Sequence, residues 1–153
     1  DNNFSGRLTP DRIKSIRDRW KGKLVVKGIV TEEDAETALS IGVDGFIVSN
    51  HGGRQLDAGQ STIKALTKLA RNFGSKTTVM MDSGIKSGSD IACALASGAG
   101  FTFLGRSFMY GVSALGRDGG DHTVSMLKRQ LQQVMEQLSC ERVEDLPQHL
   151  IQN

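Results

Sequence analysis

Apolar positions along this chain alternate between two rhythms. Short runs rich in β-branched or aromatic residues fall at 24–27, 45–49, 77–81 and 100–104. Each is separated from the next by a stretch whose apolar residues recur at helical spacing. Thr9 and Pro10 open the first helix, with Thr9 as N-cap and Pro10 at the first helical position. Ile13, Ile16 and Trp20 give that helix an apolar face. The first strand ends at Gly28. Thr31 caps the next helix, and Glu32, Glu33 and Asp34 fill its first turn, where the helix dipole favours acids. Gly42 ends it. The run 45–49, Gly-Phe-Ile-Val-Ser, is suited to burial on both faces. A polar loop to Gly59 precedes a helix over 61–73. After the third strand, Asp82-Ser83-Gly84 forms a turn, and a small-residue helix covers 89–97. The fourth strand leads into a loop at Gly105-Arg106. A long amphipathic helix spans 124–138, and the tail from Cys140 closes the fold with a short helix.

Four strands alternating with helices predict right-handed βαβ units and a parallel α/β sheet. The unit length, roughly 25–30 residues, is that of a TIM (β/α)₈ barrel. Four units are half of one, so residues 1–153 read as the C-terminal half of a single barrel domain, its last four βα units plus closing helices. A flavodoxin-like open sheet is the structural alternative. No G-x-G-x-x-G follows a strand, so a Rossmann reading has little support.

Composition adds limits. The 18 glycines imply many turns and close backbone approaches. A net charge of +2 with interleaved signs gives no reason to expect nucleic acid as a partner. Cys93 and Cys140 have no metal spacing, and no metal site is expected; they read as buried or partly buried free thiols in a reducing compartment. No apolar run approaches the ~20 residues of a membrane span. The polar start at Asp1, without Met, is read as a division from a longer protein.

Candidate chemistry collects where each strand ends, which is where parallel α/β folds hold ligands. His51 leaves the second strand directly into Gly52-Gly53, with Arg54 three residues on. Histidine titrates near neutral pH and serves as a general base, and arginine forks onto a carboxylate. Structural alternatives are a satisfied histidine and an Arg54–Asp57 ion pair. Lys27 ends the first strand. It is either a lysine paired with a neighbouring carboxylate or a fixed charge that stabilises an electron-rich cofactor ring. Gly84 with Lys86, and Gly105 with Arg106, make two glycine-plus-cation strand ends in succession, the pattern of a barrel phosphate site.

The run Ser49-Asn50-His51-Gly52-Gly53-Arg54-Gln55-Leu56-Asp57 resembles the active-site signature of the FMN-dependent 2-hydroxy acid dehydrogenases and oxidases, the lactate dehydrogenase, lactate oxidase and glycolate oxidase family. Val26-Lys27-Gly28-Ile29 before it, and Asp82-Ser83-Gly84-Ile85-Lys86-Ser87-Gly88-Ser89-Asp90 and Leu104-Gly105-Arg106 after it, extend the resemblance over nearly the whole chain. The resemblance implies FMN as cofactor and a small L-2-hydroxy acid, of lactate or glycolate type, oxidised to the 2-oxo acid. It makes His51 the base and Arg54 the carboxylate binder. Lys27 and Ser49 would contact the flavin. Asp82, Ser83, Gly84, Ile85 and Lys86 would hold the ribityl chain and phosphate, with Gly105 and Arg106 completing the phosphate cradle.

Two positions depart from the common family pattern: Ser83 where many members carry glycine, and Lys86 where many carry arginine. The family's substrate-contacting tyrosines belong to the first four units, and the single tyrosine here, Tyr110, does not match them. A lone half-barrel exposes sheet edges, so the N-terminal half is expected as a partner, in the same or a separate chain. The electron acceptor is oxygen, a quinone or a cytochrome. The resemblance further implies a homotetramer in the cytoplasm, peripheral at the inner membrane if a quinone is the acceptor. Alternatives are another FMN- or phosphate-binding barrel enzyme and a non-catalytic half-barrel that binds a partner chain.

Overall fold

Strands β1 (Val25–Ile29), β2 (Gly45–Val48), β3 (Thr78–Met81) and β4 (Phe101–Thr102) form one sheet, parallel throughout, in the order β1-β2-β3-β4. The computed structural model that shows this describes residues 8–151; the polar stretch 1–7 lies outside the described residues. The helices are α1 (Pro10–Arg19), α2 (Glu32–Ile41), α3 (Thr62–Phe73), α4 (Gly88–Ala96), α5 (Arg106–Leu115) and α6 (Gly119–Gln137). Parallel strands taken in chain order are joined by crossovers that, with the right-handedness such connections take, put the helices on one face, which is the winding of a barrel wall. A flavodoxin-like sheet needs a reversal of strand order, and none occurs among the described strands.

That winding gives the sheet two unequal faces. Val26, Phe46 and Val79 lie side by side by register, as do Val48 and Met81. They pack against Ala35, Ala38, Leu66, Leu69 and Phe73 from the helices to form the core, each large side chain contributing about 2 kcal/mol of burial. Phe46 meets Phe73 edge to face, with ring centroids 6.2 Å apart. On the other face Lys27, Ile47, Met80 and Phe101 form a second row. There Phe101 is 57% exposed, while within 45–49 Gly45 and Ser49 are buried and Ile47 half-buried, so the expected two-sided burial of that run holds except at Ile47.

Most element ends follow their local chemistry. Thr31 Oγ1 accepts from Asp34 N at 3.2 Å. Ser87 and Asp90 cap α4 reciprocally. Strand β1 runs past Gly28 to Ile29, with a bulge between Lys27 and Ile29. Strand β4 is shorter than 100–104 because it pairs only with β3, although Gly100 N and Phe103 N still donate to Val79 and Met81 carbonyls. The first helix packs chiefly on α2, and Ile13 is part-buried while Ile16 and Trp20 are 40% and 56% exposed. Helix α6 starts five residues before the expected 124 because Gly119 packs backbone-to-backbone on Gly111 of α5. A Cβ at either glycine would strike the other helix, so here glycine is a contact residue and not a helix breaker. The tail forms a 3₁₀ segment, Val143–His149, whose buried Leu146 packs with Ala92 and Cys140. Cys93 is exposed, contrary to expectation, because its neighbours Ala92 and Ala94 take the buried positions of α4.

Asp44 clamps the bottom of the sheet. Its carboxylate accepts from Lys23 Nζ at 2.8 Å, Leu24 N at 2.9 Å and Arg17 at 3.1 Å. The Lys23 contact foremost, then the Leu24 amide, lower its pKa to about 2. An unfolded aspartate takes up its proton near pH ~4. The clamp therefore contributes fully above that pH and is lost as pH falls through about 2. Thermal melts of an Asp44→Asn variant should show a shallower loss of stability across this window than the parent; equal slopes would discount the clamp.

Candidate active site

Because the strands are parallel and in register, their carboxyl ends bring Lys27, Ser49, Asp82 and Gly105 to one rim. Lys27 Nζ donates to Ser49 Oγ at 2.9 Å and pairs with Asp82 Oδ2 at 2.9 Å, joining the ends of β1, β2 and β3. Burial pushes the Asp82 carboxyl up, but the Lys27 ammonium and the Ser49 and Ser83 hydroxyls outweigh it and hold the pKa below the usual value. The lysine side chain is 45% exposed, so solvent screens the pair and its net contribution is about 1 kcal/mol or less. The carboxylate partner anticipated as an alternative for Lys27 is thus present.

After β2 the chain turns sharply. His51 has φ 58° and Gly52 φ 70°, a left-handed pair that costs roughly 1–3 kcal/mol at a non-glycine residue. Polar contacts hold this turn. Ser49 Oγ accepts from His51 N at 3.1 Å, and Asn50 Oδ1 accepts from Gly52 N at 3.0 Å. The His51 side chain stands exposed at the rim. A Cβ at Gly52 would also lie 3.2 Å from the Arg106 guanidinium, so the glycine lets that charge sit close against the turn. No Arg54–Asp57 ion pair forms among the described residues, which leaves the Arg54 guanidinium free of that partner.

A cleft of about 260 Å³ is lined by Lys27, His51, Arg54, Asp82, Ser83, Gly84, Ile85, Gly105 and Arg106. A neighbouring cleft of about 380 Å³ shares Lys27 and His51 and adds Ser49. The structure therefore brings together every predicted site residue except Lys86. Lys86 lines neither cleft; its backbone N donates to Asp90 and its carbonyl accepts from Ser107. Sequence reasoning missed helix α5, whose first residue is Arg106 and whose N-cap Gly105 provides no side-chain hydrogen bond. Its N-terminal amides lack a side-chain cap, no acid sits in the first turn, and a Cβ at Gly84 or Gly105 would meet nothing within 4 Å. The signal was present: Phe108, Met109, Val112 and Leu115 recur at helical spacing.

A family model described as FMN-dependent dehydrogenase matches residues 1–153. An L-lactate dehydrogenase of Pseudomonas syringae pv. syringae is 43% identical over 88% of the chain and 35% of its own length. One of Vibrio parahaemolyticus is 40% identical over 94% of the chain and 38% of its own length. Among solved structures, a monotopic membrane (S)-mandelate dehydrogenase superposes with a TM-score of 0.86 at 39% identity, over 91% of this chain and 37% of the other. A mandelate oxidase with benzoyl-formic acid gives 0.86 at 34% identity, over 91% and 42%. The chain spans little over a third of the length of the curated relatives it matches.

The pair at the rim makes a direct test possible. In a Lys27→Met variant Asp82 keeps its burial and loses its ammonium partner, so its carboxyl should take up a proton at higher pH than in the parent. Carbon-13 NMR of the carboxyl across a pH series reads this. An unchanged midpoint would mean that the two serine hydroxyls, and not Lys27, hold the carboxylate ionised.

Proposed function

The chain belongs to the FMN-dependent dehydrogenase family, and from that premise we propose that it carries the base, carboxylate clamp and cofactor contacts of an enzyme oxidising a small L-2-hydroxy acid to the 2-oxo acid. The observation that carries the reading is the gathering of Lys27, His51, Arg54, Asp82 and Arg106 around one cleft at the strand ends.

The residues present fit FMN. The α5 N-terminus and Arg106 offer amide donors and positive charge to a phosphate. The open space beside Gly84 and Gly105 allows the phosphate and ribityl chain close to the backbone. In this reading Asp82, Ser83, Gly84 and Ile85 border the ribityl chain, Lys27 and Ser49 meet the flavin ring, and Lys86 contributes at longer range. FMN, when bound, supplies a two-electron acceptor. Lys27 places a fixed positive charge where that electron density arrives. Arg54 forks onto the substrate carboxylate and fixes the hydroxyl-bearing carbon beside His51. The His51 imidazole takes the proton that the substrate gives up, as a general base.

The exposed row on the open sheet face supports a further part of the proposal: the remaining barrel strands, in the same or a separate chain, cover that face and complete the site. Lactate and glycolate are the substrates to test first, with oxygen, a quinone or a cytochrome as acceptor. The similarity to a protein titled a monotopic membrane dehydrogenase supports peripheral membrane attachment as the location if the acceptor is a quinone.

In the intact holoenzyme, anaerobic L-lactate or glycolate should bleach the flavin absorbance. Arg54→Met should retain the flavin band while kcat/KM falls about a hundredfold, as expected for truncating one side of a desolvated charge pair. A variant that bleaches at the parent rate would overturn the clamp assignment, and a parent that neither acid bleaches would overturn the substrate class.

A further inference from the structure

Ser83 has φ 71°, in the left-handed region that favours glycine. A glycine would adopt this backbone without strain, so the serine side chain must offset what its Cβ imposes. Its hydroxyl is used twice. It accepts from Gly52 N at 2.9 Å and donates to Asp82 Oδ1 at 2.7 Å. Its carbonyl accepts from Thr62 Oγ1 at 3.2 Å, which anchors the residue to the start of α3.

These contacts close a ring. His51 N donates to Ser49 Oγ, Lys27 joins Ser49 to Asp82, Asp82 accepts from Ser83, and Ser83 accepts from Gly52 N. The two consecutive amides of the strained turn, at His51 and Gly52, are thereby tied to β2 on one side and to the end of β3 on the other. We propose that Ser83 is a positioning residue, whose hydroxyl pins the His51–Gly52 turn to Asp82 and so aims the His51 imidazole into the cleft. The catalytic consequence rests on His51 as the base; the pinning does not.

Two variants remove the hydroxyl in opposite backbone contexts. Ser83→Gly relieves the strain and Ser83→Ala keeps it. In the intact protein, with and without flavin, hydrogen–deuterium exchange of peptides covering 50–56 should quicken about fivefold in both variants, while peptides in α3 and α4 stay unchanged. The gain is partial because Gly52 N also reaches Asn50. In the flavin-saturated enzyme kcat should fall about tenfold, with KM within about twofold of the parent, since the substrate clamp is untouched. Unchanged exchange over 50–56 in Ser83→Gly would overturn the pin. Quickened exchange with an unchanged kcat would overturn its role in aiming His51. If the parent oxidises no 2-hydroxy acid, the substrate reading fails while the exchange experiment still decides the pin.

Discussion

The Lys27 ammonium holds together the ends of three strands. It touches Ser49 after β2 and Asp82 after β3 while standing on β1, and that contact needs all three strands parallel, adjacent and level. A one-residue slip of β1 would turn Lys27 to the opposite face of the sheet, into the apolar core beside Phe46, and turn Val26 out of it. An unpaired ammonium there would be strongly disfavoured. The polar rim therefore constrains register as much as the apolar core does. The core fixes which face each strand shows the helices, and the Lys27 contacts fix how far along the strands the ends align.

Positive charge at the rim is only partly neutralised. Asp82 answers Lys27, while Arg54 and Arg106 line the same cleft. Such a cleft attracts an anion before any specific contact forms. The α5 N-terminus adds its dipole at the Arg106 end. Left-handed, non-glycine backbone also concentrates here: His51 and Ser83 are two of the three such residues described. Conformations of that kind persist only where surrounding contacts over-determine them, and the hydroxyls of Ser49 and Ser83 supply those contacts.

Much of this was legible in the sequence for local reasons. Thr31, Gly42 and the apolar run at 45–49 marked element ends and a buried strand without reference to anything distant. The strand-end motifs were legible because parallel sheets send their carboxyl ends to one side whatever the rest of the chain does. What escaped were features set by contacts across the fold. The long helix was expected only from 124, yet it is helical from Gly119, which packs against Gly111. Helix α5 was hidden by the glycine of its cap and the strand motif before it. Lys86 carries the charge its motif calls for, but its neighbours commit its backbone to capping α4, and its side chain lines neither cleft. The double use of the Ser83 hydroxyl was likewise invisible, since its partner Gly52 lies 31 residues away.

The two faces of the sheet carry the last step. The helix side is saturated, with Phe46 and Val48 fully buried. The other side presents Ile47, Met80 and Phe101 beside the only charged member of the row, Lys27. An apolar surface ending in a cation at the mouth suits the interior of a barrel whose rim holds an anionic cofactor and substrate. It suits a solvent-facing surface poorly, because nothing polar interrupts the row between Ile47 and Phe101. Under the proposed function, whatever covers that face both removes apolar area from water and lowers the dielectric around Lys27. Each charge at the rim would then act more strongly on the cofactor and the acid than it does in the open cleft.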